Sequence, residues 1–107
     1  MKPSEVLTGA ITAIETVGWY QGYYVNAFGN VCTLGAMRTV VTGNPRYALN
    51  SIEISEDSHT AFLEAYTALE ADLGRSIPGW NDEFDQTKEG VIDQLNRTAE
   101  RLKGEGR

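Results

Sequence analysis

Aromatic side chains and a run of small residues follow one another between Gly18 and Val41. This stretch contains one of the two tryptophans, three of the five tyrosines and the only cysteine of the chain. Gly35 and Ala36 form a small pair that lets another backbone approach closely. Bulky rings beside small residues are typical of a packing centre, so we expect the remaining segments to pack around residues 18–41.

Four segments show helical periodicity, because their apolar residues recur at spacings of three and four. The predicted helices cover 4–17, 31–42, 57–73 and 87–103. They indicate a mainly α, compact single domain of about four helices over residues 1–107, with an ordered core of about 4–103. Residues 23–25 and 52–54 favour short strands, so a small β element that pairs them is a further prediction.

The predicted core consists of apolar side chains on the inward faces of these helices, together with the first tryptophan. Its members are Leu7, Ile11, Ile14, Trp19, Leu34, Met37, Val41, Phe62, Tyr66, Leu69, Ile92, Leu95 and Leu102. Two connections have weaker patterns. Residues 44–55 suggest a short helix followed by an extended piece, and residues 75–85 suggest an apolar loop without regular structure.

The net charge of −6 lies in the second half of the chain. Residues 1–50 contain three bases and two acids, whereas residues 51–107 contain six bases and thirteen acids. No lysine or arginine occurs between Tyr47 and Gly74. Direct nucleic-acid binding is therefore not expected, because neutralising phosphates requires a surface of lysine and arginine.

Other functional classes also lack support from the sequence. No apolar run reaches the roughly 20 residues of a membrane helix, and a single cysteine suits a reducing cytoplasm. No glycine-rich phosphate-binding pattern is present, so no cofactor is predicted. One histidine and one cysteine cannot supply the four ligands of a structural zinc site, so no metal is predicted either.

Three short motifs are distributed over the chain. They are Trp-Tyr-Gln-Gly at 19–22, Cys-Thr-Leu-Gly-Ala-Met at 32–37 and Ile-Pro-Gly-Trp-Asn-Asp at 77–82. Together they resemble a family of small proteins of unknown function from actinobacteria and their phages, whose members show W-T-Q-G-like, C-x-x-G-A-L and I-P-x-W-N-D motifs. The chain departs from these motifs at Tyr20 and Met37.

The resemblance spans roughly residues 6–100, so it implies a shared fold and a phage or actinobacterial source. It implies no catalytic residues. The positions that carry it are interpreted as structural: Trp19, Cys32, Gly35, Ala36, Trp80, Asn81 and Asp82.

One enzymatic interpretation uses Cys32, His59 and either Asn81 or Asp82. Cysteine, histidine and then an amide or carboxylate is the chain order of papain-like hydrolases, and a cysteine near a helix N-terminus favours the thiolate. The structural alternative is that Cys32 is a small buried hydrophobic residue, as free cysteine usually is. We expect the second, with a cysteine hydrolase as the alternative.

The segment around Trp80 also permits two interpretations. Trp80 can fill a gap between helices while Asn81 and Asp82 bond backbone groups of the loop. Alternatively, Asn81, Asp82, Glu83 and Asp85 bind a ligand or a cation. The structural interpretation is favoured.

A non-catalytic interaction or accessory protein, with a host or phage protein as its partner, is the function that we predict. The candidate binding residues are acids of the third helix, expected to face water, and aromatic residues before the second helix. They are Glu56, Glu64, Glu70, Tyr23 and Tyr24. The aromatic residues can instead close over the core, which is the more common fate of clustered rings in a small domain.

Overall fold

Side-chain caps and left-handed glycines set the ends of the helices. Ser55 Oγ accepts from Ser58 N at 3.0 Å, and Thr87 Oγ1 accepts from Gly90 N at 3.0 Å. Each cap satisfies one of the backbone donors that the first turn of a helix leaves free. At the other end, Gly74 adopts φ 69° and ends the third helix.

The computed structural model describes residues 1–107 and contains five helices and no sheet. The helices are α1 (Pro3–Val17), α2 (Thr33–Thr42), α3 (Glu56–Leu73), α4 (Ile77–Asn81) and α5 (Lys88–Gly104). Its Cα radius of gyration is 12.6 Å, close to the roughly 13 Å of a 100-residue domain. The prediction of a mainly α, compact single domain is confirmed.

Helix α1 lies at the centre and packs against α2, α3 and α5. Val6, Leu7, Ala10 and Ile14 give it a fully buried face, so its apolar stripe meets three partners. All thirteen predicted core residues lie in the core cluster or pack against it. Trp80 also belongs to this cluster, as the structural interpretation of its loop expected. No helix is both long enough and apolar enough to cross a membrane.

The prediction of a loop without regular structure at 75–85 is wrong, because this segment contains α4. Ser76 Oγ accepts from Gly79 N at 3.2 Å, and Pro78 occupies the first turn, where its missing N–H costs nothing. Ile77 and Trp80 are buried on the inner side of this short helix. The apolar character of the segment thus reflects a helical turn inserted into the core.

The short helix expected in residues 44–55 is absent, and the segment forms turns. The side chain of Asn44 accepts from Arg46 N at 2.9 Å, and its carbonyl accepts from Tyr47 N at 3.1 Å. Such local bonds of asparagine compete with a helix and favour a turn.

The predicted pairing of 23–25 with 52–54 is also wrong. Val31 instead forms isolated bridges, parallel to Trp19 and antiparallel to Val25. The second helix begins at Thr33 rather than at residue 31 because these bridges keep Val31 extended, and Cys32 caps the helix. The aromatic segment is therefore folded back onto the start of α2.

Candidate functional site

The carboxamide of Asn81 joins all three sequence motifs. Asn81 is the last residue of α4 and is only 1% exposed. Its Oδ1 accepts from Trp19 Nε1 at 2.8 Å, from Thr33 N at 3.0 Å and from Thr33 Oγ1 at 2.6 Å. Its Nδ2 donates to Tyr20 O at 3.3 Å and to Asp82 Oδ1 at 2.9 Å. The amide thus satisfies buried groups of segments far apart in the chain.

Further hydrogen bonds fasten the loop before α2 to the loop after α4. Gln21 Nε2 donates to Asn81 O at 3.2 Å and to Glu83 O at 2.5 Å, and Gly22 N donates to Asp82 Oδ1 at 3.1 Å. We call residues 19–24 and 81–85 the paired loops. Their bonds use backbone and side-chain groups alike, so the two loops form one cross-linked unit.

The thiol of Cys32 is built into this framework as a helix cap. Cys32 is 6% exposed, and its Sγ accepts from Gly35 N at 3.4 Å. Burial raises the pKa of the Cys32 thiol, and it outweighs backbone N–H groups that act in the opposite direction. At neutral pH the side chain is therefore a protonated thiol, which is a weak nucleophile.

The structure does not bring the three residues of the hydrolase interpretation into one constellation. Cys32 and Asn81 line a small cavity of about 90 Å³, whereas His59 is exposed and lines a different cavity of about 470 Å³. Cys32 forms its side-chain hydrogen bond with Gly35, not with His59. A cysteine hydrolase needs a base within hydrogen-bond reach of its nucleophile.

The acids proposed for binding lie in different surroundings. Glu56 is exposed at the start of α3, and Glu64 is exposed with its carboxylate 3.8 Å from the guanidinium of Arg107. The expectation that Glu70 faces water is wrong, because Glu70 is half-buried and its Oε2 accepts from Ile77 N at 3.2 Å. This contact ties α3 to α4.

Besides Trp19, the paired loops carry four aromatic residues, two with exposed rings and two with half-buried rings. Tyr23 is 90% exposed, and Phe84, which the sequence interpretation passed over, is 103% exposed. Tyr20 and Tyr24 are half-buried, and the Tyr20 hydroxyl donates to the carbonyl of Tyr23. The sequence did contain a signal for this exposure, because Phe84 is flanked by the acidic residues Asp82, Glu83 and Asp85.

The family assignment follows from the comparison with known proteins. A model described as "Family of unknown function (DUF6197)" matches residues 1–101. The chain belongs to this family. The match includes the Trp19, Cys32 and Asn81 motifs, so the DUF6197 segment contains the complete hydrogen-bonded framework described above. No curated protein and no solved structure matches the chain.

Alkylation of Cys32 in this DUF6197 protein should be slow. Because the thiol is buried and protonated, we expect iodoacetamide at pH 7.5 to label the native protein on the order of tenfold or more slowly than the urea-unfolded chain. Mass spectrometry of timed samples measures both rates. Native labelling as fast as unfolded labelling would contradict the capping role and favour an activated thiol.

Proposed function

We propose that this DUF6197 protein is a non-catalytic interaction protein that binds a protein partner through Tyr23 and Phe84. The proposal depends above all on one observation: both rings are almost fully exposed on the paired loops. Exposing the apolar surface of such large rings to water is unfavourable. At protein interfaces, buried aromatic residues supply much of the binding energy.

The hydrogen bonds beneath the two rings favour binding. Gln21 joins the backbone of one loop to Glu83 beside Phe84, and Asp82 accepts from Gly22 beside Tyr23. Loops that are already ordered lose little conformational entropy when a partner docks, so more of the contact energy remains as affinity.

The proposed partner is a phage or host protein in the cytoplasm of an actinobacterium, as the motif resemblance implies. The exposed acids Glu56 and Glu64 on α3 suit a partner with a basic patch, because opposite charge accelerates encounter. In this proposal the acids act on the association rate, whereas Tyr23 and Phe84 supply the affinity.

Site-specific photo-crosslinking tests the proposal. We expect p-benzoylphenylalanine at position 23 or 84 to give the same discrete adduct in cells. Phe28 is the matched control, because it is equally exposed at 90% but lies in the separate turn at 26–30. After the partner is identified by mass spectrometry, Tyr23→Ala and Phe84→Ala should each weaken its binding by about tenfold or more.

Two outcomes would contradict this function. The same adducts from position 28 would mean that exposed rings react without a specific partner. Unchanged affinity in both alanine variants, with unchanged thermal unfolding, would remove the paired loops from the interface.

A further inference from the structure

Arg38 has no partner for its N–H groups within the protein. Of the six arginines, Arg38 and Arg46 form no salt bridge. The other four do: Arg75, Arg97, Arg101 and Arg107. The guanidinium of Arg38 also donates no hydrogen bond, and its central carbon lies 3.6 Å from the ring centre of Tyr24. Stacking on a ring leaves the in-plane N–H donors of a guanidinium free for an anion.

This guanidinium lines the cavity of about 470 Å³ between α2, α3 and the turn before α3. Three aromatic residues, Tyr24, Phe62 and Tyr66, line the same cavity. The rings of Phe62 and Tyr66 are stacked, with centres 6.4 Å apart and planes inclined by 29°. The volume lies within the roughly 300–1,000 Å³ of small-molecule sites, and the rings provide flat apolar walls.

The polar side chains of the cavity are all of a kind that suits an anion. His59 and Asn50 join Arg38, and each of the three can donate a hydrogen bond. No aspartate or glutamate lines the cavity, although the protein carries a net charge of −6. Glu70 interacts with the Tyr66 hydroxyl, but it is not part of the lining.

The backbone of Tyr24 is held in an unusual conformation at the edge of this cavity. Its φ of 50° makes it the only residue other than glycine with a positive φ. The Tyr24 carbonyl accepts from Cys32 N at 3.1 Å, which fixes the ring under Arg38. Uncommon backbone conformations of this kind are concentrated at ligand sites, where the surrounding structure stabilises them.

We infer that this cavity, which we call the Arg38 cavity, binds a planar aromatic molecule that carries a carboxylate or phosphate group. The anionic group pairs with Arg38 and accepts from His59 or Asn50, while the ring of the ligand packs on Tyr24, Phe62 or Tyr66. Tyr24 belongs to the paired loops, but neither Tyr23 nor Phe84 lines this cavity, so ligand binding here can be tested without the proposed protein partner.

A set of matched probes tests each part of this inference by amide NMR titration. The probe is 2-naphthoate, with 2-naphthalenemethanol as its neutral counterpart and cyclohexanecarboxylate as its non-aromatic counterpart. We expect 2-naphthoate to bind with a Kd of about 1 mM or tighter and to shift amide signals near Arg38 and His59. Both counterparts should bind about tenfold more weakly or worse. A parallel titration with 2-naphthyl phosphate shows which anionic group is preferred.

Variants separate the Arg38 cavity from the other apolar groove of the protein. Arg38→Gln should weaken 2-naphthoate binding by about tenfold or more, and His59→Gln, at an exposed position, by about threefold. Arg46→Gln is the control, because Arg46 is the other unpaired arginine and lines the separate groove of about 600 Å³. It should leave the Kd unchanged.

Three results would overturn the inference. They are equal affinity for the neutral alcohol, an unchanged Kd in both the Arg38 and the His59 variants, and shifts centred on Thr12 and Val40 of the other groove. If Arg38→Gln lowers the thermal midpoint, His59→Gln and the set of probes on the parent protein decide the question.

Discussion

Gly35→Ala is expected to destabilise the protein by about 3 kcal/mol or more, although alanine ordinarily stabilises a helix by about 1 kcal/mol relative to glycine. The added Cβ would lie 1.9 Å from the carbonyl oxygen of Tyr24 and 2.7 Å from its carbonyl carbon. Both neighbours are backbone atoms, so no rotation of a side chain can relieve the overlap. Urea unfolding followed by circular dichroism measures the change.

The backbone at Tyr24 has little freedom to move away. Its carbonyl oxygen also accepts from Cys32 N, and Val25 bridges to Val31 just before α2. A shift of Tyr24 would break the first contact and disturb the second. It would also displace the ring on which Arg38 is stacked, so the substitution should also weaken 2-naphthoate binding to the Arg38 cavity.

Gly104→Ala is the matched control for this prediction. Gly104 is the last residue of α5, and a Cβ built there meets no atom within 4 Å. The expected change is a stabilisation of at most about 1 kcal/mol, because alanine restricts the unfolded chain. Similar stability of the Gly35 variant and the control would mean that the contact with Tyr24 is not tight.

Helices with a continuous apolar stripe could be predicted from the sequence. Leu7, Ile11 and Ile14 fix the inward face of α1, and Leu95 and Leu102 do the same for α5. Helix α4 could not be found in this way, since five residues hold little more than one turn and show no period. Its local signals, Ser76 before a proline in the first turn, are present but also occur in loops.

The candidate sites depend on contacts that no local pattern contains. Asn81 bonds Trp19 across 62 positions and Thr33 across 48 positions. The motifs indicated that these segments matter structurally, but not that one carboxamide joins them. The stacking of Arg38 on Tyr24 could not be predicted either, since Tyr24 adopts a positive φ, which sequence propensities do not favour at a tyrosine.

The exposure of acids was predicted from the helical face alone, and this explains the error at Glu70. Since Phe62, Tyr66 and Leu69 form the inward face of α3, Glu64 was predicted to lie on the outer surface, and it does. Glu70 lies near the end of α3, where the unexpected helix α4 begins and offers the free N–H of Ile77. Because the prediction did not include α4, it missed the contact with Ile77 that takes the Glu70 carboxylate partly out of water.

Asn81→Ala is expected to lower the free energy of unfolding by about 3–5 kcal/mol, because each buried donor left without an acceptor costs about 1–3 kcal/mol. The substitution leaves Trp19 Nε1, Thr33 N and Thr33 Oγ1 without their shared acceptor. Urea unfolding monitored by tryptophan fluorescence measures the loss. Asp82→Ala is the control, because Asp82 is exposed and water can replace its bonds; its expected cost is about 1 kcal/mol.

Asn81→Asp tests the same site through pH. The substitution keeps the acceptor oxygen, but it removes the donor to Tyr20 O and places a second carboxyl group beside Asp82. Burial, the neighbouring charge of Asp82 and the two acceptors that face the former amide nitrogen raise the pKa of the introduced carboxyl group above its unfolded value of about 3.9, and we expect them to outweigh the three donors at Oδ1, which act in the opposite direction. The folded state then binds this proton more tightly than the unfolded state, so the stability of the variant relative to the parent falls as the pH rises above about 4.

Unfolding curves of the variant and the parent at pH 4 and pH 7 measure this effect. The variant's deficit in the free energy of unfolding should be smaller at pH 4. A deficit independent of pH, or an Asn81→Ala variant as stable as the parent, would show that the carboxamide does not hold the three motifs together.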